Sequence, residues 1–205
     1  MSGPTVHIVD DDGALREALD SLFRSVGLET RLFGAAQDFL RSGHVHDPGC
    51  LVLDVRLPGL SGLDFQAQLS AADIQMPVVL MTGHGDIPMT VRGMKAGAVD
   101  FLAKPFRDQD MLDAVMAAIE RDRAQRAERS GLDTVRRRYE TLTARERQVM
   151  GLVAEGLMNK QIAFELGLSE ITIKIHRSSA MRKMEARSVV EFVRMAEQLG
   201  AASAT

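Results

Sequence analysis

Short apolar runs alternate with amphipathic segments between residues 5 and 122 of the chain. An uninterrupted apolar run is typical of a buried strand, whereas apolar residues three and four positions apart indicate a helix. The pattern predicts strands over 6–9, 30–33, 50–54, 77–81 and 99–103, and helices near 15–26, 36–40, 63–69, 87–96 and 108–121. Gly27 is predicted to follow the end of the first helix. The alternation predicts an α/β fold of the flavodoxin-like type, with a five-stranded parallel sheet.

The apolar periodicity fades between residues 120 and 138, where arginine, alanine, glutamate and glutamine are frequent. These residues are good helix formers, so we favour a continuation of the preceding helix over a flexible charged linker. Ser130 and Gly131 are the predicted break in that helix. We expect one domain over 1–122, a helical linker over 123–138 and a second domain over 139–205.

The C-terminal segment has an all-helical pattern. Thr143 and Glu146 have the spacing of a capping box and open a helix that Gly156 closes. Asn159 is predicted to cap a second helix, and a turn at 167–169 leads into a third.

The third helix of this segment, over 169–184, is predicted to have an apolar face and a basic face. The apolar positions include Ile171, Ile175, Met181 and Met184. A second capping box at 188–191 opens a fourth helix. Two helices joined by a short turn that contains glycine, the second rich in basic residues, indicate a helix-turn-helix.

Composition and charge narrow the class of protein. The chain has 205 residues, of which 45 % are apolar and 26 % charged, as is ordinary for a globular protein. It has one cysteine, a polar start and no apolar run of the ~20 residues that a membrane span needs, so we expect a cytoplasmic protein with no membrane partner. Residues 1–125 carry 11 Lys and Arg against 18 Asp and Glu, whereas residues 126–205 carry 14 against 10. The basic C-terminal part is compatible with a nucleic-acid partner.

Polar residues follow the predicted strands at the points where they end. Asp10 and Asp11 follow the first strand, Asp54 the third, Thr82 the fourth and Lys104 the fifth. The carboxyl ends of parallel strands meet at one edge of a sheet, so we expect these side chains to converge. Carboxylates are ligands that Mg²⁺ prefers, and an ionised aspartate can attack a phosphoryl group. The alternative is that the acids only cap a helix or lie in a solvated loop. The peptide bond from Lys104 to the next proline is a candidate for the cis form.

Taken together, these motifs resemble the receiver domain of two-component response regulators. The resemblance spans residues 4–122 and rests on His7–Asp11, Leu53–Asp54, Leu57–Gly62, Thr82–Asp86, Met94–Phe101 and Lys104–Phe106. It implies that Asp54 is the phosphoacceptor. It also implies a site for Mg²⁺ or another divalent cation at Asp10, Asp11, Asp54 and the backbone carbonyl of Arg56.

The same resemblance implies roles for residues around the phosphate. Lys104 and Thr82 would bind its oxygens, and Thr82 with Phe101 would form the switch pair that relays phosphorylation to the surface of helix 4, strand 5 and helix 5. Arg56 and His84 stand two residues beyond Asp54 and Thr82. They occupy positions that tune the lifetime of the phosphate in this family.

Residues 142–149, 159–163 and 172–177 are similar to the LuxR-type helix-turn-helix. Nearly the whole chain therefore resembles the FixJ-like subfamily of the NarL/FixJ class. By family position, Lys174, Ile175 and Ser178 face base edges in the major groove. Thr172, Asn159 and Lys160 are better placed to contact DNA phosphates, and Arg177 and Arg182 offer further donors to DNA.

The resemblance implies a transcription regulator whose partners are a sensor histidine kinase, promoter DNA, RNA polymerase and a second copy of the chain. We do not expect an enzyme beyond its own phosphotransfer and slow autodephosphorylation. One alternative is a phosphohydrolase, although the Asp-x-Asp pattern of haloacid-dehalogenase-like enzymes is absent at Asp54-Val55-Arg56. The other alternative is a DNA-binding regulator whose receiver acts without phosphorylation.

Overall fold

The structure is a computed structural model that describes residues 3–83 and 87–203. The chain divides into two compact units, Met1–Arg126 and Ala127–Thr205. Within the described residues, no helix is both long and apolar enough to cross a membrane.

The N-terminal unit is built on a parallel sheet. Its strands are β1 (Thr5–Val9), β2 (Glu29–Phe33), β3 (Gly49–Asp54), β4 (Val78–Thr82) and β5 (Asp100–Ala103). They pair in the order β2-β1-β3-β4-β5, which is the order of the flavodoxin-like fold. The predicted fold class is therefore confirmed.

Helices connect the strands and cover both faces of the sheet. They are α1 (Gly13–Ser25), α2 (Ala36–Arg41), α3 (Gly62–Ala71), α4 (Ile87–Lys95) and α5 (Asp108–Glu140). The carboxylate of Asp12 begins α1 by accepting hydrogen bonds from the N–H groups of Ala14 and Leu15, at 2.9 and 3.2 Å. Gly27 follows α1 with a φ of 80°, as predicted.

Alternate residues of β1, β3, β4 and β5 enter two apolar layers, because side chains of a strand point to opposite faces of the sheet. Leu53 and Leu80 pack with side chains of α2 and α3 on one face. Val52 and Met81 pack with side chains of α1 and α5 on the other face. Burial on both faces explains why the central strands appear in the sequence as continuous apolar runs.

Helix α5 runs unbroken for 33 residues, so the predicted break at Ser130 and Gly131 is wrong. A single glycine costs a helix only about 1 kcal/mol relative to alanine, and good helix formers surround it here. Within the N-terminal unit the helix is anchored by buried Asp122, whose carboxylate accepts hydrogen bonds from Gly49 N–H at 2.9 Å and Arg126 Nε at 2.7 Å.

The C-terminal unit packs the last turns of α5 with α6 (Ala144–Ala154), α7 (Asn159–Leu166), α8 (Glu170–Lys183) and α9 (Val189–Ser203). The capping box predicted at Thr143 and Glu146 is confirmed. At the second predicted box, Ser188 Oγ accepts from Glu191 N–H at 3.1 Å, but the Glu191 carboxylate accepts from Arg187 N–H rather than from Ser188.

Two sequence predictions in this unit are wrong. Asn159 is the first residue of α7 rather than its cap, because Gln161 Oε1 accepts the hydrogen bond of Met158 N–H at 2.8 Å. Ile171 and Ile175 do not belong to the buried face of α8, since they are 71 % and 63 % exposed. That face is formed by Ile173 and Ala180 together with Met184, which was predicted there.

Candidate functional site

The carboxyl ends of β1, β3 and β5 bring two aspartates and one lysine into contact. Lys104 Nζ lies 2.7 Å from Asp10 Oδ2 and 3.0 Å from Asp54 Oδ1. The second carboxylate oxygen of Asp54 accepts a hydrogen bond from the backbone N–H of Arg56 at 3.1 Å. Asp10 and Asp54 are buried, and the Lys104 side chain is 24 % exposed. Both oxygens of the Asp54 carboxylate are therefore held by donors.

The charges at this site are strongly coupled. Burial raises the pKa of Asp54, as does the neighbouring Asp10 carboxylate, while the hydrogen bond and charge of Lys104 oppose that rise. Burial by itself would lower the pKa of Lys104, but its hydrogen bonds to Asp10 and Asp54 raise it overall. The lysine therefore stays charged at neutral pH and favours the ionised form of Asp54.

Asp11 completes a cluster of three acids with Asp10 and Asp54. One carboxylate oxygen of each residue lies within 4.8 Å of the others. An all-oxygen ligand set with excess negative charge suits a hard divalent cation, and ligands on opposite sides of Mg²⁺ stand about 4.2 Å apart. The three acids therefore fit such a cation after small side-chain rotations.

Of the predicted switch pair Thr82 and Phe101, the phenylalanine lies against an apolar layer rather than at the acidic cluster. Thr82 ends β4, is fully buried, and accepts the backbone N–H of Lys104 at its carbonyl oxygen, 2.7 Å away. Phe101 pairs with Leu80 in the sheet, two residues before Thr82. Paired residues and residues two apart share one face of a sheet, so Thr82 and Phe101 lie on the same face. There Phe101 is half-buried and packs against the apolar layer that contains Leu63.

The remaining predicted residues near the site are placed differently. Arg56 is exposed and lines a cleft beside the acids together with Asp11 and Met89. His84 lies outside the described residues, so its role stays a prediction. The peptide bond between Lys104 and the next proline is cis, as predicted.

Two further residues shape the site and were not singled out from the sequence. A Cβ added at Gly62 would lie 2.3 Å from the carbonyl oxygen of Asp54, so only glycine permits this close approach. Arg16 in α1 donates a hydrogen bond to the carbonyl oxygen of Asp10 at 2.5 Å. The glycine was visible in the sequence only as the last residue of the motif Leu57–Gly62, and the arginine had no local signal.

A second candidate site lies on α8 in the C-terminal unit. Lys174, Ser178 and Arg182 are exposed, and Ile175 is exposed beside them. One cleft is lined by five of the predicted DNA contacts: Asn159, Lys174, Arg177, Ser178 and Arg182. The structure thus gathers most of the predicted interface on one surface.

The other predicted contacts border this surface. Thr172 lies in the first turn of α8, where its hydroxyl is 2.8 Å from Ser169 Oγ. Lys160 is exposed near the start of α7. Arg177 donates a hydrogen bond to Asn159 Oδ1 at 2.9 Å, which joins the start of α7 to α8.

Comparison with known proteins identifies the class to which these two sites belong. Residues 6–116 match the response regulator receiver domain, and residues 140–196 match the bacterial regulatory proteins of the luxR family. The chain therefore belongs to the two-component response regulators, and its output domain is a LuxR-type helix-turn-helix. This class consists of transcription regulators rather than classical enzymes, and implies a kinase and DNA as partners.

The individual relatives are FixJ-like. The chain is 57 % identical over 195 residues to Nodulation protein W of Bradyrhizobium diazoefficiens, which covers 95 % of this chain and 86 % of that protein. It is 45 % identical over 199 residues to Transcriptional regulatory protein FixJ of Azorhizobium caulinodans, with 97 % and 94 % covered. The response regulator StyR is a solved structure with a TM-score of 0.85 at 47 % identity, covering 96 % of this chain and 100 % of StyR. The predicted family is confirmed.

Proposed function

We propose that Asp54 accepts a phosphoryl group from a sensor histidine kinase. The observation that carries this proposal is the placement of the Asp54 carboxylate between the Lys104 ammonium and the Arg56 N–H, beside two further acids. One Asp54 oxygen attacks the phosphorus, the bond from phosphorus to the kinase imidazole breaks, and its electron pair returns to the imidazole. The cleft beside Asp11 and Arg56 gives the donor access.

A divalent cation, Mg²⁺ by its ligand chemistry, would be held by Asp10, Asp11, Asp54 and the backbone carbonyl of Arg56. When bound, it offsets negative charge on the phosphoryl oxygens. The chain's own contribution is the ammonium of Lys104, which keeps Asp54 ionised and is positioned to pair with a phosphate oxygen.

Phosphorylation acts as a switch because it adds about −1.5 to −2 charge at a buried strand end. Lys104 transfers a hydrogen bond from the carboxylates to the phosphate, and the Thr82 hydroxyl binds a second oxygen. Thr82 and Phe101 lie on the same face of the sheet. When Thr82 moves, the space beside the Phe101 ring changes, and the ring shifts in response. Phe101 carries no hydroxyl, so the relay to α4, β5 and α5 works by packing alone.

Arg56 and His84 tune the lifetime of the phosphorylated state. The Arg56 side chain is exposed at the cleft beside the acids, where it can influence the approach of water. His84 takes this role by its position in the sequence, two residues beyond Thr82.

The output is promoter binding by α8. Lys174, Ile175 and Ser178 reach base edges, while donors around them hold phosphates. The phosphate donors are Thr172, Asn159 and Lys160, and Arg177 and Arg182 are further donors to the DNA. A single module of modest positive charge binds weakly, so a phosphorylation-dependent homodimer that grips two half-sites supplies the affinity. The dimer acts in the cytoplasm and recruits RNA polymerase.

The phosphorylation step is tested by incubating the full chain with acetyl phosphate and Mg²⁺ and measuring its intact mass. We expect one phosphate on the wild type and on Asp38→Asn, which changes an exposed acid in α2, and none on Asp54→Asn. Phosphorylation of Asp54→Asn would contradict the assigned acceptor. Continuous release of inorganic phosphate at many turnovers per minute would instead favour a phosphohydrolase.

A further inference from the structure

Helix α8 carries two aliphatic side chains on its solvent-facing side. Ile171 is 71 % exposed and Ile175 is 63 % exposed, whereas Ile173 between them is fully buried. Exposed isoleucines on a helix lose the free energy that burial would give and have a lower helix propensity than alanine. Packing within the C-terminal unit therefore does not account for the side chains at these two positions.

The two isoleucines belong to the same face as the basic and polar residues of the proposed interface. Positions three and four apart lie next to each other on a helix, which places Ile171, Lys174, Ile175, Ser178 and Arg182 in one stripe. All five residues are exposed. The opposite stripe contains the fully buried side chains of the helix, as described above.

We infer that Ile171 and Ile175 determine sequence specificity by contacting the 5-methyl groups of two thymines in the major groove. Thymine is the base that presents a methyl group there, and aliphatic side chains are suited to contact it. The inference rests on the proposed binding of DNA by α8. It adds Ile171 to the interface and specifies the chemical group that both isoleucines recognise.

The helix geometry also sets the spacing of the two thymines. Ile171 and Ile175 are one turn apart, which corresponds to about 6 Å along the helix axis. Base pairs are stacked about 3.4 Å apart. A helix that lies along the groove therefore places the two methyl contacts about two base pairs apart.

The charge around the isoleucines favours DNA over a protein as the occupant of this face. Lys174 and Arg182 flank them, and the one acid within α8, Glu170, lies 3.3 Å from Lys174 in an ion pair. That pair is exposed and within one helix, so it is weak and can be replaced by a phosphate. A protein partner would need an apolar patch bordered by acids.

The test uses the full chain with acetyl phosphate and Mg²⁺ and selects binding sites from a pool of random duplexes. Each thymine of the selected half-site is then replaced by deoxyuridine, which removes only the methyl group. We expect two positions, about two base pairs apart, at which the replacement weakens binding about fourfold, the factor that burying one methyl group provides.

Alanine variants assign each methyl group to one isoleucine. Ile171→Ala is expected to lose sensitivity to deoxyuridine at one position and keep it at the other, and Ile175→Ala is expected to do the reverse. Phe164→Ala, which truncates a side chain that is 92 % exposed on α7, is expected to keep both sensitivities. Both isoleucines are exposed, so the alanine variants are expected to fold, and the Tyr139 fluorescence of the C-terminal unit checks this.

The outcomes separate this inference from the proposed function. A selected site with no methyl-sensitive thymine, or variants that weaken binding to all duplexes equally, would overturn the inference and leave DNA binding intact. Failure to enrich any sequence, with or without the phosphodonor, would overturn the proposed DNA binding itself. Unchanged DNA selection with loss of self-association in the variants would assign the face to a protein contact instead.

Discussion

Glu146 holds together two parts of the helix-turn-helix unit, and its replacement by glutamine gives a quantitative test of this structure. Its carboxylate accepts hydrogen bonds from Lys183 Nζ and from the backbone N–H of Thr143, both at 2.7 Å. The residue is 4 % exposed. Burial by itself would raise the pKa of this carboxyl, but the hydrogen bonds from Lys183, Thr143 and Ser179 lower it from 4.5 to about 2.

The lowered pKa sets the size of the effect. A gap of about 2.5 units between the unfolded and folded states corresponds to at most about 3 kcal/mol of stability. The Lys183 side chain is 32 % exposed, so solvent screens the pair and we expect about 2 kcal/mol. The folded-state pKa is depressed. The contribution is therefore complete above about pH 5 and is lost as the pH falls from 4.5 towards 2.

The assay uses a convenient feature of the composition. The chain has one tyrosine, Tyr139, and no tryptophan, and this tyrosine packs against the core of the C-terminal unit. Tyrosine fluorescence during urea unfolding therefore reports this unit without interference from the receiver. We expect Glu146→Gln to lower the unfolding free energy by about 2 kcal/mol at pH 7, and the exposed control Glu165→Gln to change it little.

The pH dependence provides the stricter criterion. The difference in stability between wild type and Glu146→Gln should shrink as the pH falls from 5 to 3, because the unfolded wild-type chain then binds a proton at this carboxyl while the folded chain does not. An equal difference at pH 7 and pH 3 would refute the electrostatic argument. If wild type and Glu146→Gln were equally stable at pH 7, the assigned contacts of Glu146 would be refuted as well.

Three further changes test the two sites. Gly62→Ala places a Cβ 2.3 Å from the carbonyl oxygen of Asp54. We therefore expect phosphorylation by acetyl phosphate, measured by intact mass, to slow by on the order of tenfold. An unchanged rate would show that the loop can move to accommodate the Cβ without disturbing Asp54. Lys104→Met should slow the phosphorylation of Asp54, because the ammonium no longer favours the ionised carboxylate, and should abolish the gain in DNA affinity of the chains that are phosphorylated. Fluorescence anisotropy measures that gain, and a preserved gain would contradict the switch role of the lysine. Glu170→Gln frees Lys174 and removes a negative charge, so DNA affinity should rise about two- to fivefold at low salt, whereas unchanged affinity would place the start of α8 away from DNA.

The sequence predicted the sheet well because its strands are buried on both faces. The run Cys50–Leu53 is fully buried, as expected for a strand that is covered by helices on both faces of the sheet. The meeting of Asp10, Asp54 and Lys104 was also predictable, since the carboxyl ends of parallel strands share one edge. Their contacts at 2.7 and 3.0 Å confirm that convergence.

Other features depend on contacts that leave no local signal. Asp122 bonds to Gly49 across 73 positions of the chain, and neither residue is marked by a motif. In α8, the apolar residues at 171, 173 and 175 alternate with polar ones. Residues two positions apart point to different sides of a helix, so a helix can bury only part of such a set. Ile173 stands seven residues, or about two helical turns, before buried Ala180. These two side chains therefore lie on the same side of α8, and Ile173 is the isoleucine that faces the core.

The most direct test of the regulatory account measures DNA binding and oligomeric state together. Full-length wild type and Asp54→Asn are each titrated onto a selected duplex by fluorescence anisotropy, with and without acetyl phosphate and Mg²⁺, and sized by analytical ultracentrifugation. We expect the phosphodonor to make the wild type dimerise and bind the duplex more tightly, while Asp54→Asn responds in neither measurement. Equal binding by both proteins, whether or not the phosphodonor is present, would contradict it.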